Sequence, residues 1–481
     1  MAPAAPSFRD PAGFCFSFRH HIYRFVEGDA LADFEAFLRT DCAKDLVARK
    51  KMVSSRRLEE GESAALRAEP ELKRFFDPTR QGILFEHEAI AFPSFPHEWP
   101  PEMLWAAGKL TLEITRSALA GGFSLKDATP DNILFRGSDP VFVDVLSFER
   151  RDPHDPIWKP YGQFVRTFLL PLLANRKWNL SMADIFSTRR DGLQPEEVYR
   201  WCGGFQKFSP GILSLVSIPT WLSRKANPDD QAVYRQHRVN DPEKAQFILD
   251  SLFRRLEKIL DALEPRALKS VWSDYMATHS YDDPAFAAKE KFIAEALQEF
   301  RPSTVLDAGA NTGHFSALAA EKGARVMAVD LDASCVGAIW RRAQEKRLDV
   351  LPMVTNLARP TPAMGWRNAE RSSFLDRALG KFDGILMLAL IHHLLVTERI
   401  PLEEIVRLAY ELTRQVVVIE WVEPQDAMFR RLTRGRESLH ASLNAEVFEG
   451  VCKKYFEIVR SAPLPGTARR MYCLKKKNDR I

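Results

Sequence analysis

The stretch that decides the fold is Val305-Leu306-Asp307-Ala308-Gly309-Ala310-Asn311-Thr312-Gly313-His314-Phe315-Ser316. A short apolar run ends in Asp307, passes through two glycines, and continues into an apolar-periodic segment, Phe315 to Ala320. A second apolar run, Val326 to Val329, ends in Asp330. This order of strand, glycine turn, helix, strand and acid predicts a nucleotide-type cofactor site in an open α/β sheet.

Apolar runs on both sides of this stretch extend the same pattern. Strands are predicted at 304–308, 325–330, 349–354, 382–388, 415–420, 456–461 and 470–474. Helices are predicted between most of them, at 313–322, 334–347, 402–413 and 444–454, after an amphipathic helix over 285–300. Seven strands that alternate with helices until the last pair indicate a doubly wound, Rossmann-like sheet of the α/β class.

Four segments of the predicted sheet resemble the motifs of class I S-adenosylmethionine (SAM)-dependent methyltransferases, and they occur in the same order. They are the opening stretch, Val326 to Asp330, Phe382 to Leu394, and Val416 to Glu420. The turn has the pattern D-x-G-x-x-x-G rather than the G-x-G-x-x-G of dinucleotide sites, which favours SAM over a dinucleotide. The resemblance covers residues 280–475 and implies an enzyme with SAM as its cofactor.

The resemblance also implies which residues bind the cofactor. Gly309 and Gly313 permit tight turning and a close approach of the backbone. Asp307 is expected at the amino-acid end of SAM, and Asp330 at the ribose hydroxyls. Asn356, after the third strand, is expected near the adenine amino group. The complete predicted set is Asp307, Gly309, Ala310, Asn311, Gly313, Phe315, Asp330, Leu331 and Asn356.

Methyl transfer from a sulfonium is an in-line displacement, so the protein mainly aligns donor and acceptor. If the acceptor is the hydroxyl of a small molecule or saccharide, a histidine can serve as its base. His392 and His393 follow a central strand and are the candidates, with Glu420 as a further contact to substrate. Tyr275 and Tyr281 are candidates for closing over SAM, and the insertion 359–379 for the acceptor pocket.

The first half of the chain carries a different motif, Asp127-Ala-Thr-Pro130-Asp131-Asn132-Ile133-Leu134, followed by a turn and Val141-Phe-Val-Asp144. It resembles the catalytic core of the protein-kinase-like and aminoglycoside-phosphotransferase-like fold. That resemblance implies that Asp127 receives a substrate hydroxyl. It also implies that Asn132 and Asp144 hold Mg²⁺ against the phosphates of ATP, since oxygen ligands suit a hard cation.

This half departs from the kinase-like pattern in several places. Leu125 replaces the histidine that usually precedes the first acid, and no glycine follows Asp144. Neither a glycine-rich loop nor a strand lysine is evident upstream, where Lys50 and Lys51 lie in a segment predicted as helix. Two alternatives therefore stay open. The domain is either an active ATP- and Mg²⁺-dependent kinase of small molecules, or a non-catalytic module that binds the substrate.

The remainder of the first half predicts an α+β domain. Alternating aromatic residues over 13–26 indicate short strands, and residues 83–88 are predicted to form a further strand. Helices are predicted at 31–38, 45–66, 103–118 and 246–263. The expected organisation is a kinase-like domain over 1–265, a connector over 266–284 and a methyltransferase domain over 285–481. The whole layout resembles fused bacterial methyltransferases of the host-specific nodulation type.

Composition excludes some functions and favours a location. A net charge of +4 over 481 residues gives no argument for nucleic-acid binding. No apolar run reaches the roughly 18 residues that a membrane span needs, and no signal peptide is evident. The cysteines lack CxxC spacing, which is typical of reduced thiols in a cytoplasmic protein; they are Cys15, Cys42, Cys202, Cys335, Cys452 and Cys473.

Overall fold

The computed structural model describes Ser7 and residues 9–77, 79–224, 238–267, 283–440 and 442–477. Its strands are β1 (Gly13–Phe18), β2 (His21–Glu27), β3 (Ser55–Arg57), β4 (Gly82–His87), β5 (Phe123–Leu125), β6 (Ile133–Arg136), β7 (Asp139–Phe142), β8 (Phe148–Arg150), β9 (Thr304–Ala308), β10 (Arg325–Asp330), β11 (Val350–Val354), β12 (Phe382–Met387), β13 (Thr413–Val422), β14 (Phe456–Pro463) and β15 (Arg469–Lys476).

The α-helices, in chain order, are α1 (Gly28–Leu38), α2 (Asp41–Ala48), α3 (Glu60–Ala68), α4 (Pro101–Ala120), α5 (Tyr161–Phe164), α6 (Leu170–Trp178), α7 (Met182–Phe186), α8 (Pro195–Trp201), α9 (Pro210–Ile212), α10 (Ile218–Ser223), α11 (Pro242–Ala262), α12 (Asp283–Phe300), α13 (His314–Glu321), α14 (Ala333–Lys346), α15 (Phe374–Ala378), α16 (Leu402–Leu412), α17 (Ala427–Thr433) and α18 (Ala445–Tyr455). Three π-helical segments occupy Val165–Leu169, Leu213–Ser217 and His393–Thr397.

The C-terminal half is built on a seven-stranded sheet with the order β11-β10-β9-β12-β13-β15-β14. The first five strands are parallel, and β15 runs antiparallel to both of its neighbours. The parallel strands read as continuous apolar runs because helices cover both faces of such a sheet. The predicted doubly wound sheet is confirmed, with all seven strands and the four helices between them close to their expected positions.

The chain order reverses beside β9, because β10 lies on one side of this strand and β12 on the other. Ligands bind in open α/β sheets at such a switch point, beyond the carboxyl ends of the strands. The glycine turn after β9 lies there. Gly309 and Gly313 have φ values of +74° and +75°, a region that favours glycine. A Cβ on Gly313 would lie 2.8 Å from the side chain of Ile339, so that position also requires close packing.

The N-terminal half contains a four-stranded antiparallel sheet with the order β1-β2-β4-β3, followed by helix α4 and the hairpin β6–β7. The prediction of one helix over 45–66 is wrong. Helices α2 and α3 are separated by β3, which pairs with β4. Lys50, at a φ of +58°, lies in the turn after α2. Pairing with a distant strand thus outweighs the local helical pattern of this charged segment.

The two halves pack against each other along a seam that buries both apolar and charged groups. One continuous cluster of buried apolar side chains includes members of α4 and of the C-terminal sheet. Trp340 on α14 donates a 3.1 Å hydrogen bond to the carbonyl of Ser138. Three arginines of the C-terminal half pair with carboxylates of the N-terminal half: Arg341 with Glu102, Arg371 with Asp131, and Arg377 with Glu98. The insertion that carries Arg371 and Arg377 therefore contacts the N-terminal half.

Some expectations fall outside the part of the chain that the structure describes. Tyr275 and Tyr281, and all but the ends of the predicted connector, belong to residues 268–282. Within the described ranges, no helix combines the length and the apolar character that crossing a membrane would require.

Candidate functional site

A cleft of about 280 Å³ opens at the carboxyl ends of β9, β10, β11 and β12. Eight of the nine residues predicted to bind the cofactor line it, namely Asp307, Gly309, Ala310, Asn311, Phe315, Asp330, Leu331 and Asn356. Gly313 is not among the lining residues and instead shapes the turn through its backbone. The remaining walls come from α12, from the start of α13, and from the segment after β12.

Asp330 is held firmly at the end of β10. Its Oδ2 accepts a 2.8 Å hydrogen bond from the backbone N–H of Asn311, and its Oδ1 accepts one of 2.9 Å from that of Asp332. A carboxylate offers about four acceptor positions, so Asp330 has capacity left for donors of a ligand. Burial raises the pKa of this group, although the backbone donors oppose the shift. The geometry suits a pair of ligand hydroxyls that face a fixed carboxylate.

Asp307 is 2% exposed and is the residue before the last of β9. Its Oδ2 accepts a 2.6 Å hydrogen bond from the hydroxyl of Ser316 on α13. Burial raises the pKa of the Asp307 carboxyl to about 6, helped by the nearby charge of Asp330 and opposed by the Ser316 hydrogen bond and by Lys289. The group therefore changes charge just below neutral pH, within reach of a ligand in the cleft.

This titration predicts how SAM affinity depends on pH. SAM, the cofactor expected from the sequence, carries ammonium and sulfonium groups that would favour the ionised form of Asp307, whose pKa is raised to about 6 in the protein without ligand. We expect affinity to be steady above that pKa and to fall by up to about tenfold per pH unit below it. Calorimetric titration from neutral pH down to about pH 5 measures this. An Asp307→Asn variant should bind SAM more weakly and with a flatter pH dependence, and an unchanged slope in that variant would contradict the assignment.

The stability of the folded protein without ligand depends on pH in the opposite direction to the affinity. The raised pKa means that the folded state takes up a proton more readily than the unfolded chain. Ionisation of Asp307 therefore lowers stability above the folded pKa, and protonation restores it as the pH falls.

Glu420 does not line the cleft, in contrast to its expected contact with substrate. Its side chain is fully buried beneath the cleft, where Oε2 accepts hydrogen bonds from Lys289 Nζ at 2.6 Å and from the backbone N–H of Ala389 at 3.0 Å. Oε1 accepts a 3.1 Å hydrogen bond from Arg469, which also pairs with Asp426. The arrangement makes Glu420 the centre of a buried ionic network that holds the cleft floor.

Lys289 is a member of this network that the sequence analysis missed. It is 4% exposed, lines the cleft, and places Nζ 5.2 Å from the centre of the Phe315 ring. The available signal was its position on the apolar face of α12, in register with the buried Ala285, Phe292 and Ile293. An ammonium at this place is suited to the carboxylate of a ligand such as SAM.

The two histidines after β12 occupy different environments. His392 is 1% exposed and does not line the cleft, and its Nδ1 has no hydrogen-bond partner among the described residues. Burial lowers its pKa to about 3, with further lowering by His393 and Arg469. His393 lines the cleft, and burial together with Arg469 lowers its pKa as well. Both imidazoles are therefore weakened as proton acceptors.

In the N-terminal half the structure brings Asp127, Asn132 and Asp144 to one end of the β6–β7 hairpin. The Asn132 side chain donates to the carbonyl of Asp127 at 3.5 Å, and Gln163 donates to the Asp127 carboxylate at 3.4 Å. Burial raises the pKa of Asp127, and the charge of Asp144 adds to the shift. Strand β7 ends at Phe142, so Asp144 lies just beyond the strand rather than at its last residue.

Asp144 already has a cationic partner. Arg24 on β2 lies 2.9 Å from its Oδ1, and the Arg24 side chain is only 10% exposed. The same guanidinium donates to His87 on β4 at 3.3 Å. Arg24 was not predicted from the sequence, because the kinase-like pattern has a lysine on a strand of this domain. Within the described ranges, no group of three or more His, Cys, Asp or Glu side chains is arranged to hold a metal ion.

Comparisons with known proteins concern mainly the C-terminal half. Residues 281–444 match a family model described as a methyltransferase domain. Nodulation protein NoeA of Rhizobium meliloti (strain 1021) is 28% identical over 475 residues, which cover 98% of this chain and 96% of that protein. The family match and this relative support a methyltransferase.

Matches to solved structures cover a smaller part of the chain. N-methyltransferase NodS from Bradyrhizobium japonicum WM9 is 15% identical, with a TM-score of 0.31, and the match covers 41% of this chain and 99% of the NodS chain. Magnesium protoporphyrin IX methyltransferase (ChlM) from Synechocystis PCC 6803, solved with SAH bound, is 17% identical, with a TM-score of 0.30. The match covers 40% of this chain and 84% of the ChlM chain.

Proposed function

We propose that the protein is a SAM-dependent methyltransferase that acts on a hydroxyl of a small molecule or saccharide. The observation that carries this proposal is the cleft, where eight residues predicted for SAM from the sequence converge at the switch point of the sheet. The match of residues 281–444 to a methyltransferase domain supports the reaction type. The acceptor class follows from the expectation from the sequence that a histidine serves as the base for a hydroxyl.

The chain's own residues suit each part of this cofactor. The Asp330 carboxylate has acceptor positions left for the ribose hydroxyls, and Asn356 lines the wall where the adenine amino group is expected. Lys289 and Asp307 present opposite charges at the end of the cleft suited to the amino-acid group. When bound, SAM supplies an electrophilic methyl group on a sulfonium. The protein then contributes by fixing donor and acceptor in line and by excluding water.

Incubation with methyl-labelled SAM and a bacterial small-molecule extract tests the reaction. We expect label to appear in at least one fraction of the extract, and label to be absent when the protein is omitted. Separation of the labelled product by chromatography then identifies the acceptor class. A protein that binds SAM but labels no fraction would contradict the proposal.

For the N-terminal half we propose a non-catalytic module that binds substrate, within a domain over residues 1–265 that a connector over 266–284 joins to a methyltransferase domain over 285–481. The pairing of Arg24 with Asp144 favours this alternative over an active kinase, because a guanidinium already balances the carboxylate expected to hold Mg²⁺. We also propose a cytoplasmic location, which the lack of CxxC spacing among the six cysteines supports.

The non-catalytic proposal predicts the outcome of nucleotide titrations. Because Arg24 neutralises Asp144, we expect calorimetry to show no Mg²⁺-dependent binding of ATP up to about millimolar concentration. A millimolar dissociation constant corresponds to a binding free energy of roughly −4 kcal/mol. Binding of SAM by the same sample serves as the control for folded protein. Saturable, Mg²⁺-dependent ATP binding that is lost in an Asp144→Ala variant would instead support the bifunctional enzyme.

A further inference from the structure

His314 lines the cleft, as His393 does, but it is neither one of the two histidines predicted as bases nor a member of the predicted cofactor-binding set. His314 is the first residue of α13, directly after the glycine turn. Its Nε2 lies 3.3 Å from a carboxylate oxygen of Glu290 on α12, and the two side chains are 34% and 43% exposed. The imidazole is thus accessible from the cleft and is oriented by an acid from a separate helix.

Two aromatic rings fix the plane of this imidazole. Phe286 on α12 and Phe315 on α13 lie with ring centres 5.1 Å and 5.0 Å from that of His314, both in edge-to-face arrangements. With Nε2–H donating to Glu290, the lone pair is on Nδ1, which has no hydrogen-bond partner within the described ranges. A ring held on one side by a carboxylate and open at its other nitrogen has the geometry of a base and its orienting group.

The other two histidines are less suited to this role. His392 is buried away from the cleft, and His393 lies beside the guanidinium of Arg469, which disfavours a second positive charge. Glu290, in contrast, places a negative charge next to His314. A cation that forms on His314 during the reaction would therefore be stabilised rather than opposed.

We propose that His314, positioned by Glu290, is the general base of methyl transfer; this inference rests on the proposed function. The acceptor oxygen forms a bond to the methyl carbon while the carbon–sulfur bond breaks and its electron pair stays on sulfur. The hydroxyl proton passes to Nδ1 of His314. The products are the methyl ether, S-adenosylhomocysteine and a protonated imidazole, which returns its proton to solvent.

The test uses the full-length chain with His314→Gln and Glu290→Gln substitutions. His21→Gln is the matched control, since it breaks another surface histidine–glutamate pair, 2.5 Å long, on the N-terminal sheet. Each variant is titrated with SAM by calorimetry. Each is then assayed over a range of pH for transfer of labelled methyl groups to the extract fraction that the unaltered protein labels.

We expect His314→Gln to slow transfer by about a hundredfold or more while SAM affinity stays within about threefold. Transfer by His314→Gln should also lose the pH dependence of the rate that we expect for the unaltered protein. Glu290→Gln, which alters only the positioning residue, should retain this pH dependence with a smaller loss of rate. His21→Gln should match the unaltered protein. Equal rates and pH profiles in His314→Gln, or a loss confined to SAM affinity, would overturn the base assignment. Failure of the unaltered protein to bind SAM or transfer label would instead overturn the proposed function, and this inference with it.

Discussion

Replacement of Asp330 with alanine should weaken SAM binding by about a hundredfold or more, the largest effect of any single change in the cleft. The substitution removes the carboxylate expected to receive the ribose hydroxyls. It also leaves the backbone N–H groups of Asn311 and Asp332 without the acceptor that fixes the turn. Two charge-assisted hydrogen bonds at about 1.5 kcal/mol each account for the size of the loss. Calorimetric titration with SAM measures it.

Asp349→Ala provides the matched control, because this exposed acid precedes the neighbouring strand β11 and pairs with Arg325 at the surface. It should bind SAM like the unaltered protein. Circular dichroism should show the same secondary structure in both variants. Asp330→Ala protein that is folded and binds SAM normally would remove Asp330 from the site.

Replacement of Glu420 with alanine should lower the free energy of unfolding by about 3–5 kcal/mol. The Glu420 carboxylate is fully buried between Lys289 and Arg469, whose side chains are 5% and 1% exposed. Without it, two cations remain in the interior with a shortage of compensating charge, and Ala389 loses its acceptor. Denaturation by urea, followed by the fluorescence of the buried tryptophans, reports the change.

A surface carboxylate separates this effect from a general loss of charge. Glu404 on α16 pairs with Arg407, and the Glu404 side chain is 43% exposed. Glu404→Ala should therefore change the free energy of unfolding by less than about 1 kcal/mol. Glu420→Gln should have an intermediate effect, because an amide retains the size and part of the hydrogen bonding. An unfolding curve of Glu420→Ala that coincides with that of the unaltered protein would show that the network contributes little to stability.

The C-terminal sheet could be predicted from sequence because its central strands are covered on both faces. Runs such as Val416 to Ile419 are apolar at every position, and acids or glycines mark where the strands end. The N-terminal half gives weaker signals. Strand β3 has only the residues Ser55–Arg57, whose polar side chains read as part of a charged helix. Its pairing with β4 depends on a contact distant in sequence, which periodicity does not reveal.

The same distinction applies to the site. Residues of the glycine turn and of the strand ends were predictable because a local motif places them at the cleft. From α12, Lys289 reaches the cleft and Glu290 reaches His314, while Arg24 reaches Asp144 from another strand. Their roles therefore arise only when separate elements pack together. The prediction correctly placed Glu420 near the carboxyl end of β13, but the sequence did not show that two buried cations surround its carboxylate.

Calorimetric titration of the unaltered chain with SAM measures whether the cleft beyond β9 and β10 binds this cofactor. We expect saturable binding of one SAM per chain, with a dissociation constant near the micromolar range, which corresponds to a binding free energy of about −8 kcal/mol. The affinity should be unchanged in Asp144→Ala and lower by about a hundredfold or more in Asp330→Ala. No saturable heat with the unaltered protein, or equal binding by Asp330→Ala, would show that SAM does not bind in this cleft as proposed.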